Sequence, residues 1–524
     1  MTDLAGRWRI ASLGGRWRVA VLGGLFLASV FVAVRLVRPL HSGSVGPDAI
    51  APVIEFERLA AGQAIEGRLT QTSKPLLDLV YGPLFALFHD WRPVAWAAIV
   101  AFALCVVLAA VLAHRVAGLA SAAFAAASFM LSPILLVDLG LAYAVVWMLL
   151  FLLVAGLAVT AQRPRYGLAG VALAVAALAR PEALAVVGVA FIALIGAEIG
   201  AVVTHRPRPP RRAYLTLLGL LAIPIFIAHD EVLFGDPLFW LNTAEIASQG
   251  RKLRGLVAMV GWMWQHFLGQ AALLPLAGAS LFVLVSRRQW QLAIGLAGVI
   301  LGIAGLFIVS GARGTFLSSR YLVPIDLGLL FAAAVGVSAL DVPAIRRWLR
   351  RRIRPNLRTV LLPVAGGLAV ALAIAPIAPL NATVRAAIDT QVKLHANAKR
   401  AFEAIRREVP ARPTWHRLPP SGTISDHPLL IVPPTLRAQA VADLDLPLTE
   451  VAYSYETWLD PLQGKPTAGT IVYHDRLDDH PGDPRYSLVE IDRPTIIGSY
   501  RYVPILVDKT AGLWVVRVEA ASPP

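Results

Sequence analysis

Charged residues make up only 15% of this 524-residue chain, and cysteine occurs once. Each scarcity excludes a class of protein. With 57% hydrophobic residues and a mean hydropathy of +0.65, too little charge is left to solvate a soluble surface of this size, which points to an integral membrane protein. The single thiol, Cys105, lies inside an apolar run and supports neither a disulfide framework nor a cysteine metal site. A solenoid period, a Walker or Rossmann glycine pattern in its proper context and an HExxH string are also absent, so built-in nucleotide-driven chemistry is not expected. Acidic residues are outnumbered, 33 against 48 Lys and Arg, for a net charge of +15 and a pI near 10.4. In a soluble chain that excess would suggest nucleic acid. Here the basic residues fall in short blocks between apolar runs, as topology determinants and anionic-lipid contacts do, and no nucleic-acid partner is expected.

What is present is a series of long apolar runs. At about 20 residues per span, crossings are expected at 17–37, 94–113, 117–137, 139–160, 166–179, 182–203, 214–228, 268–286, 290–310, 321–340 and 359–377. The fold class is a polytopic α-helical membrane protein of about eleven transmembrane helices. The first run resembles a signal peptide but is long and lacks a convincing small-residue cleavage site, so it reads as an uncleaved helix. Basic groups fall on alternate loops: Arg7, Arg9 and Arg16; His114 and Arg115; Arg163 and Arg165; RPRPPRR at 206–212; Arg287 and Arg288; RRWLRRRIRPNLR at 346–358. By the positive-inside rule the N-terminus is cytoplasmic and everything beyond about residue 381 is extracytoplasmic.

This assignment keeps residues 41–88 outside without a crossing. Their apolar end, 74–88, is short and holds Pro75, Gly82 and Pro83, so it reads as a re-entrant or interfacial helix. The loop carries Asp48 in GPDAIAP and Lys74 in SKPLLDLVYGPLFALF. Asp48 is either the N-cap of a short helix or a general base for an acceptor hydroxyl. Lys74 is either an interfacial anchor or the cation that neutralises a phosphate leaving group.

Further polar residues share the outer face. Asp138, in LSPILLVDLGLAY, either caps the next helix or orients the acceptor or a cation. In ALARPEALAV, Pro181 and Glu182 suit a helix start, which leaves Arg180 as a second phosphate candidate. HDEVLFGDPLFWLNTAE at 229–245 concentrates acids, a histidine and aromatics, with Asp236 a candidate for sugar hydroxyls and Trp240 an interfacial-belt residue. His229, Asp230 and Glu231 are adjacent in sequence, and adjacent ligands do not converge on one ion without partners elsewhere, so no metal site is read from them. Arg320 and Tyr321, where an outer loop enters a helix, either anchor the interface or bind phosphate and lipid or sugar.

From residue 381 the composition changes. A helical period is followed by short β-rich runs, LLIVPP, EVAYSY, GTIVYH, PILVD and GLWVVRVE, separated by Pro, Gly and Asp turns. An extracytoplasmic α/β or α+β domain is expected over 381–524, after a transmembrane domain over 1–380.

In their order these features resemble the polyprenyl-phosphate-dependent glycosyltransferases of the GT-C superfamily, whose relatives include protein O-mannosyltransferases and lipid A aminoarabinose transferases. The resemblance covers about the first 340 residues: an outer loop with the early acid Asp48 and the closing lysine-proline segment, then Asp138, Arg180, FGDPLFW at 234–240 and SRYLVP at 319–324. It implies a GT-C fold, a catalytic role for Asp48 and Asp138, and donor-phosphate binding by Lys74, Arg180 and Arg320. Tyr321, Asp236 and Glu182 are expected to contact substrate. The implied partners are a polyprenyl-phosphate sugar, a glycan, lipid or protein acceptor, and membrane lipids. Asp48 has no second aspartate two residues away, so a DxD-like metal motif is absent; no cofactor is certain and a divalent cation stays open. Lys74 is followed by one proline where many relatives have two. The rival expectations are a transporter or flippase of lipid-linked substrates and a non-catalytic envelope scaffold.

Overall fold

The structure, a computed structural model, describes residues 15–37, 45–62, 73–205, 208–241, 255–269, 273–287, 289–312, 322–341, 377–409, 428–433, 436–444, 446, 450–453, 467–478 and 491–521. Its helices run α1 (Gly15–Leu36), α2 (Pro47–Ala60), α3 (Pro75–Phe88), α4 (Trp91–Ala117), α5 (Leu119–Met130), α6 (Pro133–Gly140), α7 (Val145–Val159), α8 (Tyr166–Ala179), α9 (Leu184–Thr204) and α10 (Ala222–Phe234). They continue as α11 (Gly255–Gly269), α12 (Leu274–Ser286), α13 (Trp290–Ala312), α14 (Val323–Val337), α15 (Ile377–Glu408) and α16 (Arg437–Leu444). Tighter 3₁₀ turns, Pro181–Ala183 and Arg211–Leu221, lead into α9 and α10. Among the described residues four helical stretches are long and apolar enough to cross a bilayer: Trp91–Ala117, Pro181–Val203, Arg211–Phe234 and Gly295–Ala312. The other apolar helices are shorter. On α9, Ile192 and Val203 are 69% and 72% exposed; apolar faces of this kind suit lipid rather than water.

Two expected spans, and one stretch expected as loop, differ from expectation. The run 117–137 is two helices, because Pro133 restarts the chain at α6, where Ser132 Oγ accepts from Leu135 N at 3.4 Å. Ala142, at φ 52, ends α6 in a left-handed turn and delays α7 to Val145. Helix α11 occupies what the spacing of apolar runs left as outer loop; its 15 residues fall short of the roughly 20 that a span needs. The crossing expected at 359–377 lies almost wholly outside the described residues.

The two ends of the bundle differ chemically. At one end Arg115 donates to Leu157 O at 3.0 Å and Arg287 to Val116 O at 3.1 Å. These cations satisfy carbonyls at helix C-termini and complement the helix dipoles, and they belong to groups that the positive-inside rule puts on one side. At the other end α2 and α3 pack against each other. Gly82 makes this possible, since a Cβ there would meet Phe56 Cβ at 2.2 Å. His89, at φ 47, then turns the chain into α4, whose N-cap Asp90 accepts from Arg92 N at 2.9 Å.

The C-terminal region forms a six-stranded sheet in the order β2-β1-β3-β6-β5-β4, comprising β1 (Leu430–Val432), β2 (Val451–Tyr453), β3 (Ile471–Asp475), β4 (Thr495–Ile497), β5 (Tyr500–Asp508) and β6 (Leu513–Ala520). β1 pairs parallel with β2 and β3, while the β3–β6, β6–β5 and β5–β4 pairs are antiparallel. Five of the six strands coincide with the β-rich runs of the sequence; β4, only three residues long, does not. Helix α15 covers the sheet, with Phe402 edge-on to Tyr473 at 6.0 Å and Asn397 Nδ2 donating to Asp475 Oδ2 at 3.0 Å. Helix α16 packs on α2, and Trp91 Nε1 donates to Asp443 Oδ1 at 3.0 Å. The sheet region is therefore docked at the α2–α3 end of the bundle.

Candidate active site

The α2–α3 pair is held in place by polar contacts to the turn between α6 and α7. Tyr81 Oη donates to Ala142 O at 2.9 Å and accepts from Trp147 Nε1 at 2.8 Å. Gly46 N donates to Leu141 O at 2.9 Å, so the start of α2 lies against the end of α6. That contact brings the backbone of Asp48 beside the helix carrying Asp138. Asp138 is 2% exposed; the Asp48 side chain lies outside the described part of α2.

Lys74 is the N-cap of α3, at φ −137 and ψ 72, outside the helical region and immediately before Pro75. It is buried, and its ammonium acts on the carboxylates of Glu55, Asp78 and Glu182 together. Arg180 ends α8, where Pro181 stops the helix and begins a 3₁₀ turn. Its guanidinium grips Glu182 through two bonds, NH2 to Oε1 at 2.6 Å and Nε to Oε2 at 3.2 Å. Beside them, at the C-terminal end of α10, His229 lies between two acids: Nε2 is 2.6 Å from Asp78 Oδ2 and Nδ1 is 3.0 Å from Asp230 Oδ1. Asp230 also accepts from Ser73 Oγ and from Trp240 N, both at 2.7 Å. Burial pushes the Glu55 carboxyl well above the usual range, and the neighbouring Asp78 charge adds to the effect.

Of the residues singled out from the sequence, Lys74, Arg180 and Glu182 come together. Asp236 stands apart at the turn after α10, where its Oδ1 accepts from Leu238 N at 3.0 Å. Arg320 and Tyr321 lie outside the described residues. Trp240, expected at the interfacial belt, stacks on Phe226 at 5.1 Å, and its backbone N donates to Asp230 Oδ2 at 2.7 Å. The partners that His229 lacked in sequence are supplied by Glu55 and Asp78, from α2 and α3. Asp78 carried a legible signal, a lone acid in the apolar run PLLDLVYG. Glu55, amid EFER, carried none. A second buried pair joins α11 to α14, His266 Nε2 to Asp326 Oδ1 at 2.7 Å.

The site thus places two buried cations, several carboxylates and an imidazole at the end of a membrane bundle. Such a set can neutralise a phosphate and move a proton. No protein-family profile and no curated protein sequence matches the chain. Solved structures do. ArnT from Cupriavidus metallidurans bound to undecaprenyl phosphate superposes with a TM-score of 0.58 at 15% identity, over 97% of this chain and 99% of that one. The same protein in the apo state gives 0.56 at 16% identity, over 98% and 100%. The oligosaccharyltransferase of Archaeoglobus fulgidus in the apo form gives 0.49 at 13% identity, over 84% of this chain and 65% of that one. Over almost its whole length, the chain has the fold of ArnT.

Proposed function

We propose that this protein is a membrane glycosyltransferase that moves a sugar from a polyprenyl-phosphate donor to an extracytoplasmic acceptor, a glycan, lipid or protein. The observation that carries the reading is a fold shared end to end with a structure solved with undecaprenyl phosphate, together with buried Lys74 and Arg180 at one end of the bundle. Carboxylates hold both cations in this buried setting, Glu182 on Arg180 and Glu55, Asp78 and Glu182 around Lys74.

In this reading the acceptor hydroxyl attacks the anomeric carbon, the bond from that carbon to the phosphate oxygen breaks, and the electron pair leaves on the phosphate. Lys74, Arg180 and Arg320 stabilise that charge, and Asp48 takes the acceptor proton with Asp138 beside it. Glu182 orients the Arg180 guanidinium through their paired bonds. Tyr321 and Asp236 contact the donor or acceptor. Residues 1–380 form the catalytic membrane domain, and 381–524 an extracytoplasmic domain docked over its outer end.

The experiment is transfer from a purified polyprenyl-phosphate sugar by protein in detergent. Lys74→Ala is expected to lower turnover by about 10²–10³-fold, as loss of one preorganised charge stabiliser does, in protein that still elutes as a single species. Undiminished turnover overturns the assignment.

A further inference from the structure

The geometry points to a binding site for an anionic phospholipid at the arginine end of the bundle, with one acyl chain in an apolar cavity and the phosphate against Arg115, Arg165 and Arg287. The cavity has a volume of about 350 Å³ and lies between α4, α7, α8, α9, α12, α13 and α14. Val116, Val159 and Leu284 line it where α4, α7 and α12 end, and Leu173, Ile303 and Leu327 line it farther in.

Among the described residues, the lining offers water no side-chain donor. Its two hydroxyls, Thr160 Oγ1 and Thr216 Oγ1, give their protons to Gly156 O and Ala213 O, both at 2.7 Å; the other lining side chains are apolar. A cavity of this kind stays dry and takes an apolar guest. In a membrane that guest is a lipid chain. From Met148 to Thr160 the lining follows α7 for about 18 Å, close to the roughly 15 Å that the acyl chains of one leaflet occupy, half of a ~30 Å hydrocarbon core. The wall also surfaces sideways: Val159 is 39% exposed, and Ala190 and Leu296 are half-buried.

The rim supplies the charge. Arg287 donates to Val116 O at 3.1 Å and Arg115 to Leu157 O at 3.0 Å, while Arg165 N donates to Ala158 O at 3.0 Å. Each of these carbonyls belongs to a lining residue or to its neighbour in the chain, so three arginines border the mouth. Basic pockets between transmembrane helices bind anionic headgroups in this way, and the guanidinium fork matches phosphate oxygens. In the proposed reaction the donor phosphate meets Lys74 and Arg180 at the opposite end of the bundle, so the donor's chain enters from the other leaflet.

Binding here is measured without the transfer reaction. Full-length protein in detergent is stripped of lipid and offered phosphatidylglycerol or phosphatidylcholine with the same acyl chains, and bound lipid is counted by native mass spectrometry. Wild type is expected to take about one equivalent of phosphatidylglycerol, about fivefold tighter than phosphatidylcholine. Arg287→Gln is expected to weaken it about fivefold, and Arg115→Gln with Arg287→Gln about thirtyfold, one surface cation being lost at each step. Arg287→Lys keeps the charge and should restore binding, which separates a lost charge from a lost helix end. Leu296→Trp fills the cavity and is expected to abolish binding of both lipids in protein that still melts as a single species, whereas Arg92→Gln, at the other end, should bind as wild type does. Equal affinity for the two lipids, unchanged binding by Leu296→Trp, or displacement of phosphatidylglycerol by an equivalent of undecaprenyl phosphate overturns the proposal; the last outcome assigns the cavity to the donor's chain.

Discussion

A carboxylate or imidazole taken out of water keeps its charge only in company, and most polar residues at this end of the bundle have it. In the proposed reaction, Asp48 and Lys74 are the two on which chemistry most depends. Asp48→Asn preserves shape and removes the proposed base, so transfer from a lipid-phosphate sugar is expected to vanish while the melting temperature is retained; normal turnover would remove Asp48 from the mechanism. Another buried residue, His395 on α15, reports on pH. Burial lowers its imidazole from 6.5 to about 4, so between those values the unfolded chain binds more protons than the folded one. Stability conferred by the neutral ring is therefore complete above about pH 6.5 and is lost as pH falls toward 4, by up to about 3 kcal/mol. Comparing hydrogen exchange of α15 across that range in wild type and His395→Gln should show the slope only in the wild type. Arg180 and Glu182 were legible as residues because they interrupt an apolar run, and Lys74 because it stands where a polar loop meets one. Glu55 was not, since nothing in EFER distinguishes an acid facing the core from one facing water.

At the scale of elements, the wall of the site depends on how closely α2 approaches α3. Gly82→Ala puts a Cβ 2.2 Å from Phe56 Cβ, in contact with the root of a buried side chain rather than a flexible tip. The substitution is expected to cost about 1–3 kcal/mol through overpacking and to lower transfer, with Phe56→Ala in the same chain recovering part of the loss. A thermal melt and a transfer assay on the single and double variants check both. Pro75, Gly82 and Pro83 announced that α3 was short and apolar; that it lines the site alongside α2 follows from packing. Helix α11 shows the limit of reading by length: a 15-residue, mostly apolar stretch is ambiguous until its neighbours are known.

On the scale of the molecule, the sheet region and the membrane bundle meet through α16 on α2 and through Trp91 and Asp443. Asp443 also accepts from Gln439 Nε2 at 3.0 Å, so replacing it leaves two donors without an acceptor. Asp443→Leu is expected to weaken docking by about 1–3 kcal/mol, seen as faster exchange in α2 and α16 while the β5–β6 core stays protected; unchanged exchange would show the hydrogen bond to be incidental. The collection of Arg115 and Arg287 at the opposite end gives the positive-inside pattern a local cause as well, because the same side chains close helix C-termini.

Composition and spacing by themselves determined that this is a membrane protein and where five strands of the C-terminal sheet lie. These properties are local: hydropathy, helix length and strand alternation are summed over neighbours in the chain. Only the tertiary structure decided that His229, silent beside Asp230 and Glu231, meets Glu55 and Asp78 from two other helices, and that Arg180 is engaged with Glu182. The physical reason is that a site is defined by distance in space. Helices α2, α3, α8 and α10 reach their positions through apolar contacts that carry no information, in sequence, about which polar groups they bring face to face.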